Sequence, residues 1–278
     1  MTWWLLYDSK DVGRNKEYIE LYFSACKKRG IELKFMVEEE LEIRISNGGS
    51  RFFDKGEELD FPDAVINRTR SFWLSRQLEL AGCRVFNNSQ VTMLGNHKEL
   101  ALAHVRRLGV DIMPTSSENH LESMEYPCVM KSVDGHGGTE VFWLTGRKDY
   151  ITRKKMMTGR TCVLQKVAAD LGKDLRVYVI GNEIIASMLR ISQTDFRSNF
   201  CLGGTTEIYS LSSEERKIIQ KIVDSLEINF CGIDFMFDHG KLVFNEIEDV
   251  VGSRMLYTYT DIDVVELYTQ HILKEITK

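Results

Sequence analysis

Four groups of residues in this chain combine types and spacings that suit chemistry on phosphates. The first is Lys131, which ends an apolar, strand-like run and precedes a loop containing Gly135, Gly137 and Gly138. Glycines let backbone N–H groups approach phosphate oxygens closely, and a lysine adds a positive point charge. The loop is not a P-loop, because it lacks the G-K-[ST] ending and a strand follows it. A hairpin loop with glycines at positive φ explains the loop equally well.

The second group is acidic. Asp234 lies on one predicted strand, and Glu246 and Glu248 lie on the next, two residues apart, so the two glutamates share one face. Carboxylates that converge from paired strands repel one another unless a cation lies between them. Their hard oxygen atoms suit Mg²⁺, which typically bridges substrate phosphates. A solvated acidic edge is the alternative, although the apolar neighbours Phe235 and Phe244 argue against an ordinary surface.

The third and fourth groups contain arginines. Arg176 and Arg190 lie among apolar strand residues, where an arginine needs a carboxylate or phosphate partner. An internal salt bridge, for instance from Arg176 to one of the acidic residues above, would also supply that partner. The fourth group is Arg197-Ser198-Asn199, which precedes a glycine pair and would alone be an ordinary loop.

Hydrophobic periodicity predicts the elements that must position these groups. The first ninety residues alternate strands with helices, which predicts a mostly parallel sheet. A β-rich, glycine-punctuated stretch follows, and a capping box at Ser212 and Glu215 opens a late helix. Strands are predicted at 3–7, 31–37, 64–66, 84–86, 128–131, 140–144, 161–167, 175–180, 184–190, 232–237 and 242–247, and helices at 16–28, 71–81, 98–108 and 264–276.

Composition limits the class of protein. The chain has 278 residues, with 36 basic and 41 acidic side chains, so its net charge is 36 − 41 = −5. No broad positive field exists to attract nucleic acid or an anionic membrane. Six scattered cysteines form no C-x-x-C pair, which disfavours a zinc site or a disulfide scaffold and favours reduced thiols. The N-terminus resembles no signal peptide, so we expect a soluble, cytoplasmic protein.

Together the four groups resemble the ATP-grasp superfamily and, within it, the RimK-like amino-acid ligases. The resemblance covers about residues 60–278, and the motifs occur in the family's order. They are the strand-lysine with its glycine-rich loop (131–141), the hinge 163–167, the G-x-D-x-R segment 172–176, the strand 186–190, R-S-N at 197–199, and G-I-D followed by N-E-I at 232–234 and 245–247.

The resemblance implies an α/β fold of three subdomains with ATP held between two of them. It divides the chain into an N-terminal α/β domain (1–90), a central subdomain with the glycine-rich loop (91–168) and a C-terminal subdomain with the metal site (169–278). It also implies the site residues. The residues implied for nucleotide binding are Lys98, Lys131, Gly135, Gly137, Gly138, Gln165, Lys166, Val167, Asp174, Arg176, Arg197, Ser198 and Asn199. The residues implied for catalysis are Lys131, Arg190, Arg197 and Asn199. The residues implied for metal binding are Asp234, Glu246 and Glu248.

The activity implied is an ATP- and Mg²⁺-dependent ligase that joins a carboxylate to an amine, such as an amino acid, through an acyl phosphate. Two Mg²⁺ ions are expected, with Mn²⁺ as a substitute. The alternative is a nucleotide-binding sensor or pseudoenzyme, and a phosphotransferase is a weaker one. Two residues depart from the family pattern: Lys166 replaces an acidic hinge residue, and Glu248 replaces an asparagine.

The sequence identifies neither the carboxylate nor the amine substrate, and it leaves open whether the acceptor is free or carried on a peptide. We expect no nucleic-acid or membrane partner, and association into a homo-oligomer is compatible with the family. The roles of Glu248 and Arg254 also stay open at this stage.

Overall fold

A computed structural model describes residues 1–118, 124–193 and 205–278. Within these ranges, no helix has the length and apolar character needed to cross a membrane. The described strands form four sheets, and one of them, at residues 41–59, is inserted in sequence between two strands of the N-terminal sheet.

The N-terminal part folds around a parallel sheet, as the alternation of strands and helices predicted. Its strand order is β2-β1-β6-β7, and every pairing in it is parallel. Apolar runs such as Trp3–Tyr7 are fully buried because helices cover this sheet. The elements are β1 (Thr2–Tyr7), α1 (Ser9–Val12), α2 (Lys16–Lys27), β2 (Glu32–Val37), β3 (Leu41–Ser46), β4 (Gly49–Asp54), β5 (Glu57–Leu59), β6 (Ala64–Asn67), α3 (Phe72–Leu80) and β7 (Val85–Phe86), with short 3-10 turns at Gly13–Asn15 and Glu38–Glu40.

Strands β3, β4 and β5 form a separate antiparallel sheet that the sequence analysis did not predict. Two tight turns join them. Gly49, the first residue after the turn at Asn47-Gly48, has a φ of 101°, and Gly56, within the second turn, has a φ of 86°. The Asn47-Gly48 dipeptide is a hairpin signal that could have revealed this meander. Few of its residues are buried, so its apolar periodicity is weak.

The central part holds an antiparallel sheet of order β10-β9-β11-β8. Helix α6 in this part was not predicted, because none of its residues is buried and it therefore has no apolar stripe. The elements are α4 (Ser89–Gly95), α5 (Lys98–Arg107), β8 (Thr115–Ser117), β9 (Cys128–Ser132), β10 (Val141–Leu144), α6 (Arg147–Met156) and β11 (Cys162–Lys166).

The C-terminal part holds the largest described sheet, of order β14-β13-β12-β15-β16, with antiparallel pairing throughout. The predicted capping box is present: Ser212 Oγ accepts from the Glu215 N–H at 3.2 Å, and Glu215 Oε2 accepts from the Ser212 N–H at 2.8 Å. The elements are β12 (Lys173–Ile180), β13 (Glu183–Ile191), β14 (Thr205–Ile208), α7 (Ser213–Val223), β15 (Phe230–Asp238), β16 (Lys241–Glu248), α8 (Arg254–Tyr259) and α9 (Val264–Ile276).

One hydrophobic core joins the two ends of the chain. It packs β1 and α2 residues such as Trp3 and Tyr22 against Phe230 and the α9 residue Tyr268. A second core lies between α5, α7 and the C-terminal sheet. The domain boundaries at 90/91 and 168/169 fall between the main sheets, and they stay a prediction.

Asn87 joins the N-terminal sheet to the C-terminal one by four hydrogen bonds. Its Nδ2 donates to the carbonyls of Phe230 (2.7 Å) and Asp249 (3.1 Å), and its Oδ1 accepts from the N–H groups of Asn229 (3.0 Å) and Phe230 (2.9 Å). We expect Asn87→Ala to lower the free energy of unfolding by about 2–4 kcal/mol, because buried backbone groups lose their partners. Urea denaturation measures this loss.

The neighbouring Asn88 supplies the matched control. Its side chain caps α4 by accepting from the Val91 N–H at 3.0 Å, so Asn88→Ala should cost only about 1 kcal/mol. Equal losses in the two variants would contradict the proposed joining role of Asn87.

Candidate functional site

The glycine-rich loop connects β9 to β10, as predicted. Gly137 and Gly138 have φ values of 65° and 72°, a region that favours glycine. A Cβ on Gly135 would lie 2.7 Å from the Glu140 carboxylate, so this position also requires a small residue. Lys98, the first residue of α5, donates from Nζ to the Gly135 carbonyl at 2.5 Å. Lys98 therefore contacts the glycine-rich loop that follows Lys131.

Lys131 lies on β9 and points between two sheets. Its Nζ donates to Gln165 Oε1 on β11 at 2.7 Å and to Asn245 Oδ1 on β16 at 2.9 Å. Removal from water, together with the positive charge of Lys98, lowers the Lys131 pKa to about 8, and Glu246 opposes the shift. Sequence reasoning missed Asn245, although it begins the N-E-I motif.

A cleft between the central and C-terminal sheets gathers most of the predicted nucleotide residues. Its walls also include residues that the sequence analysis did not assign, among them Lys173, Met236 and Asn245. Arg176 is not part of its wall. The predicted residues that line the cleft are Lys98, Lys131, Gly135, Gly137, Gly138, Gln165, Lys166, Val167 and Asp174.

The predicted hinge is the end of β11. Gln165 is buried, and its amide Nε2 donates to Thr115 Oγ1 at 3.0 Å while its Oε1 accepts from Lys131. The Lys166 N–H donates to the Pro114 carbonyl at 2.8 Å. That N–H is therefore already bonded within the protein.

A buried network of arginines and carboxylates crosses the C-terminal sheet. Arg176 on β12 donates from Nε and Nη2 to both oxygens of Asp234 at 2.8 and 2.6 Å, and its Nη2 lies 2.7 Å from Glu248 Oε1. Arg190 on β13 donates to Asp174 at 2.5 and 2.8 Å and to Asp234 at 2.7 Å. The internal salt bridge that the sequence left open as an alternative is thus present.

Strand register explains this network. Arg176 is directly opposite Asp234 across β12 and β15, and Asp174 is opposite Arg190 across β12 and β13. Burial alone would raise the Asp234 pKa, but Arg176 and Arg190 hold it at about 2. Burial likewise opposes the charge of Arg176, yet Asp234 and Glu248 raise its pKa well above the ordinary value. Each charge is tolerated because its partners are fixed in place.

The three predicted metal-ligating carboxylates lie together at the edge of this network. One oxygen from each of Asp234, Glu246 and Glu248 lies within 4.8 Å of the others. Asp234 is buried, whereas the side chains of Glu246 and Glu248 are 27% and 25% exposed. Lys98 Nζ lies 3.4 Å from Glu246 Oε2 and so connects this cluster to the glycine loop. A set of hard oxygen donors at this spacing fits Mg²⁺.

The remaining predicted residues are distributed as follows. Arg197, Ser198 and Asn199 lie outside the described residues. Arg190 is described, buried and paired, and its Nη1 has no hydrogen-bond partner among the described residues.

Comparisons with known proteins agree with the resemblance drawn from the motifs. The model of the RimK-like ATP-grasp domain matches residues 92–272. β-Citrylglutamate synthase B from Homo sapiens is 26% identical over 96% of this chain and 76% of its own length. A probable α-L-glutamate ligase from Maridesulfovibrio salexigens is 27% identical over 90% of this chain and 89% of its own length.

Solved structures show the same fold. The VanG D-Ala:D-Ser ligase from Enterococcus faecalis matches with a TM-score of 0.76 at 15% identity, over 99% of both chains. The ATP-grasp ligase PsnB, solved with a precursor variant, Mg and ADP, matches with a TM-score of 0.68 at 18% identity, over 99% of this chain and 98% of the other. The predicted ATP-grasp fold is confirmed. The chain belongs to the RimK-like ATP-grasp family and is an ATP-dependent ligase of the carboxylate–amine class.

Proposed function

We propose that this protein activates a substrate carboxylate as an acyl phosphate and joins it to the amine of an amino acid. The observation that carries the proposal is the cleft in which Lys98 and Lys131 meet the glycine loop on one side and the acidic cluster on the other. Family membership supports ligation over a nucleotide sensor. Transfer between two anions requires this density of positive charge.

The reaction has two steps. A carboxylate oxygen of the substrate attacks the γ-phosphorus of ATP, and the bond from that phosphorus to the bridging oxygen breaks, which releases ADP. The amine nitrogen then attacks the acyl carbon, and phosphate leaves with the electron pair of the carbon–oxygen bond. The nitrogen loses a proton, and an amide results. Phosphorylation is needed because a free carboxylate is a poor electrophile.

We assign the phosphates of ATP to Lys98, Lys131 and the backbone of the glycine loop. We assign hydrogen bonding with the adenine edge to the carbonyl of Lys166 and the N–H of Val167, because the Lys166 N–H already donates to the Pro114 carbonyl. Asp174 lies at the ribose side of the cleft in this assignment. The other nucleotide residues proposed are Gly135, Gly137, Gly138, Gln165, Arg197, Ser198 and Asn199. Arg176 was expected among them, but it lies outside the cleft wall and pairs with Asp234 and Glu248, so we assign it to holding the acidic cluster in place.

We assign Mg²⁺ to Asp234, Glu246 and Glu248, with two ions and with Mn²⁺ as a substitute. Mg²⁺ bound there would offset the negative charge of the phosphates during transfer. Asp234 shares its oxygens with Arg176 and Arg190, so Glu246 and Glu248, which are more exposed, are the more open donors. The PsnB structure with Mg and ADP supports a site of this kind in the fold.

Arg190 is our assignment for the group that stabilises negative charge on the reacting carbonyl, together with Arg197 and Asn199. Its Nε and Nη2 are held by Asp174 and Asp234, which fixes the guanidinium in place. The Nη1 group is the remaining donor. A donor held before the reaction costs no reorganisation when charge develops.

The experiment that tests this function incubates the protein with ATP, Mg²⁺ and pairs of amino acids or peptides. ADP release is measured, and the product is identified by mass. We expect ADP and an amide product whose mass equals that of the two substrates less one water. ATP binding without ADP release for any pair would contradict the proposal and favour the nucleotide-binding alternative.

The lowered pKa of Lys131 predicts a pH dependence for ATP binding. Below pH 8 the ammonium is present and pairs with phosphate, whereas above about 8 the free protein loses this charge. We therefore expect the ATP dissociation constant to rise as pH increases through 8, and calorimetry at fixed Mg²⁺ measures it. Lys131→Met should bind ATP about 10- to 100-fold more weakly at pH 7, since a charge-assisted contact is lost, and its affinity should vary less with pH.

Lys155→Met is the matched control. Lys155 is exposed on α6, so this substitution removes the same charge at a position away from the cleft. It should retain both the affinity and the pH profile of the unmodified protein. Unchanged ATP affinity in Lys131→Met would remove Lys131 from the site.

We also propose a cytoplasmic location. The described cysteines, Cys26, Cys83, Cys128, Cys162 and Cys231, are all free and buried, which suits a reducing compartment. Amino-acid or peptide substrates follow from the function, and association into a homo-oligomer stays a prediction.

A further inference from the structure

Three charged residues meet at the carboxyl edge of the N-terminal sheet, apart from the ATP cleft. Asp8 directly follows β1, Glu38 directly follows β2, and Arg70 comes soon after β6. These strands are parallel neighbours in the order β2-β1-β6, so their carboxyl ends share one edge. The chain leaves β1 for β2 on one side and returns to β6 on the other. Such a reversal point between strands is where open α/β sheets bind ligands.

Arg70 presents unused hydrogen-bond donors at this edge. Its Nη1 donates to Asp11 Oδ2 at 2.6 Å and lies 3.9 Å from Asp8 Oδ2. Its Nε and Nη2 make no hydrogen bond to any residue in the described ranges. The side chain is 21% exposed, so a ligand can reach it. A half-buried guanidinium with an open edge suits a carboxylate, which can bind it with two hydrogen bonds.

Asp8 and Glu38 are carboxyl groups at the same edge, and a positively charged hydrogen-bond donor would stabilise them. Asp8 Oδ2 is buried and accepts no hydrogen bond from the described residues, and the ammonium of exposed Lys10 lies 3.9 Å away. Burial raises the Glu38 pKa, and the negative charge of Asp8 adds to the shift, while Ser71 opposes it. Two neighbouring carboxylates that are half-buried are stabilised by a cation between them. An ammonium group supplies both the charge and the missing donor.

This edge abuts the chain segment that leaves the acidic cluster. Arg68 Nη2 donates to the carbonyl of Val251 at 3.0 Å, and Ser253 Oγ donates to Tyr18 Oη at 3.0 Å. Val251 follows Glu248 by three residues. The open donors of Arg70 thus lie on the side of the N-terminal domain that contacts the catalytic half of the molecule.

We propose that Arg70, Asp8 and Glu38 form the subsite for an α-amino acid, with its carboxylate on Arg70 and its ammonium between Asp8 and Glu38. The proposal rests on the proposed function for the place of this amino acid in the reaction, where it serves as a substrate of the ligase. Because the proposed subsite consists only of protein side chains, we expect the amino acid to bind without ATP and without turnover.

Calorimetry on the full chain tests the subsite. Each standard amino acid is titrated singly, and the tightest binder is compared with its des-amino analogue and its α-carboxamide analogue. We expect Arg70→Gln to weaken the amino acid about 10- to 100-fold, and the α-carboxamide to lose a similar factor with the unmodified protein. The two losses should not add, because both remove the same contact. Asp8→Asn should likewise weaken binding of the amino acid, and the des-amino analogue should lose a similar factor with the unmodified protein. These two losses should also not add, because both remove the contact of the ammonium group.

Two exposed residues serve as controls. Arg14→Gln removes a charge that lies 3.2 Å from Asp11 on a side chain that is 60% exposed. Glu17→Gln removes an exposed negative charge from α2. Both should keep the unmodified amino-acid affinity. All variants should keep the unmodified ATP affinity, which separates loss of the subsite from loss of the fold. Arg70→Lys keeps the charge but not the paired donors, and it should fall between the unmodified protein and Arg70→Gln.

The results distinguish this proposal from the proposed function. Binding of no amino acid, or additive losses for Arg70→Gln and the α-carboxamide, would overturn the subsite even if ligase activity is found. Coupled losses without any ADP release would support the subsite and contradict the ligase reaction. Equal effects of Arg70→Gln and Arg14→Gln would also overturn the subsite.

Discussion

Glu246→Gln should abolish ligase turnover, with a loss of at least about a hundred-fold, while the protein stays folded. Glu246 belongs to the carboxylate cluster and also pairs with Lys98, whose Nζ lies 3.4 Å from Glu246 Oε2. An amide keeps one oxygen but removes the negative charge that attracts Mg²⁺. Turnover at saturating ATP and a thermal melt of the same preparation measure the two effects.

The melt also reports on metal binding without turnover. Mg²⁺ should raise the melting temperature of the unmodified protein, because a ligand that binds the folded state stabilises it, and this rise should be absent in Glu246→Gln. Glu183→Gln removes an exposed carboxylate at the start of β13 and should leave both readouts unchanged. An active but destabilised Glu246→Gln would instead indicate that Glu246 serves the fold.

Glu248→Asn should remain active but require about ten-fold more Mg²⁺, whereas Glu248→Ala should lose about a hundred-fold or more in turnover. Asparagine keeps an oxygen ligand and removes one charge, so the site attracts Mg²⁺ less. Alanine removes the ligand. Arg176, which lies 2.7 Å from Glu248, keeps Asp234 as its partner in both variants, so neither leaves a buried arginine unpaired.

Separate titrations of Mg²⁺ and of the amine substrate decide what Glu248 contacts. A raised amine KM with an unchanged Mg²⁺ requirement would assign Glu248 to the amine instead of the metal. Near-unmodified behaviour of both variants would place Glu248 outside the site and contradict our interpretation of the N-E-I-E segment.

Local patterns were predictable wherever an element has one clear apolar face or a strong capping signal. The helix after Ser212 and the hairpin through His239 and Gly240, whose φ values are 50° and 76°, follow from their own residues. Helix α6 escaped prediction because it buries nothing, and the β3–β5 meander because it buries little. Periodicity reports burial, so an element without a buried face gives no periodic signal.

The sequence by itself determined the chemistry that this chain carries: a strand-lysine with a glycine-rich loop, and paired carboxylates and arginines in the order of one ligase family. Only the tertiary structure decided which of these groups meet. Lys131 bonds to Gln165 and Asn245, which are 34 and 114 residues away, and Arg176 takes Asp234 and Glu248 as partners. Asp8, Glu38 and Arg70 meet at one sheet edge although no motif joins them. Such pairings depend on strand order and register, which the burial of whole sheets sets, and no local stretch of residues encodes them.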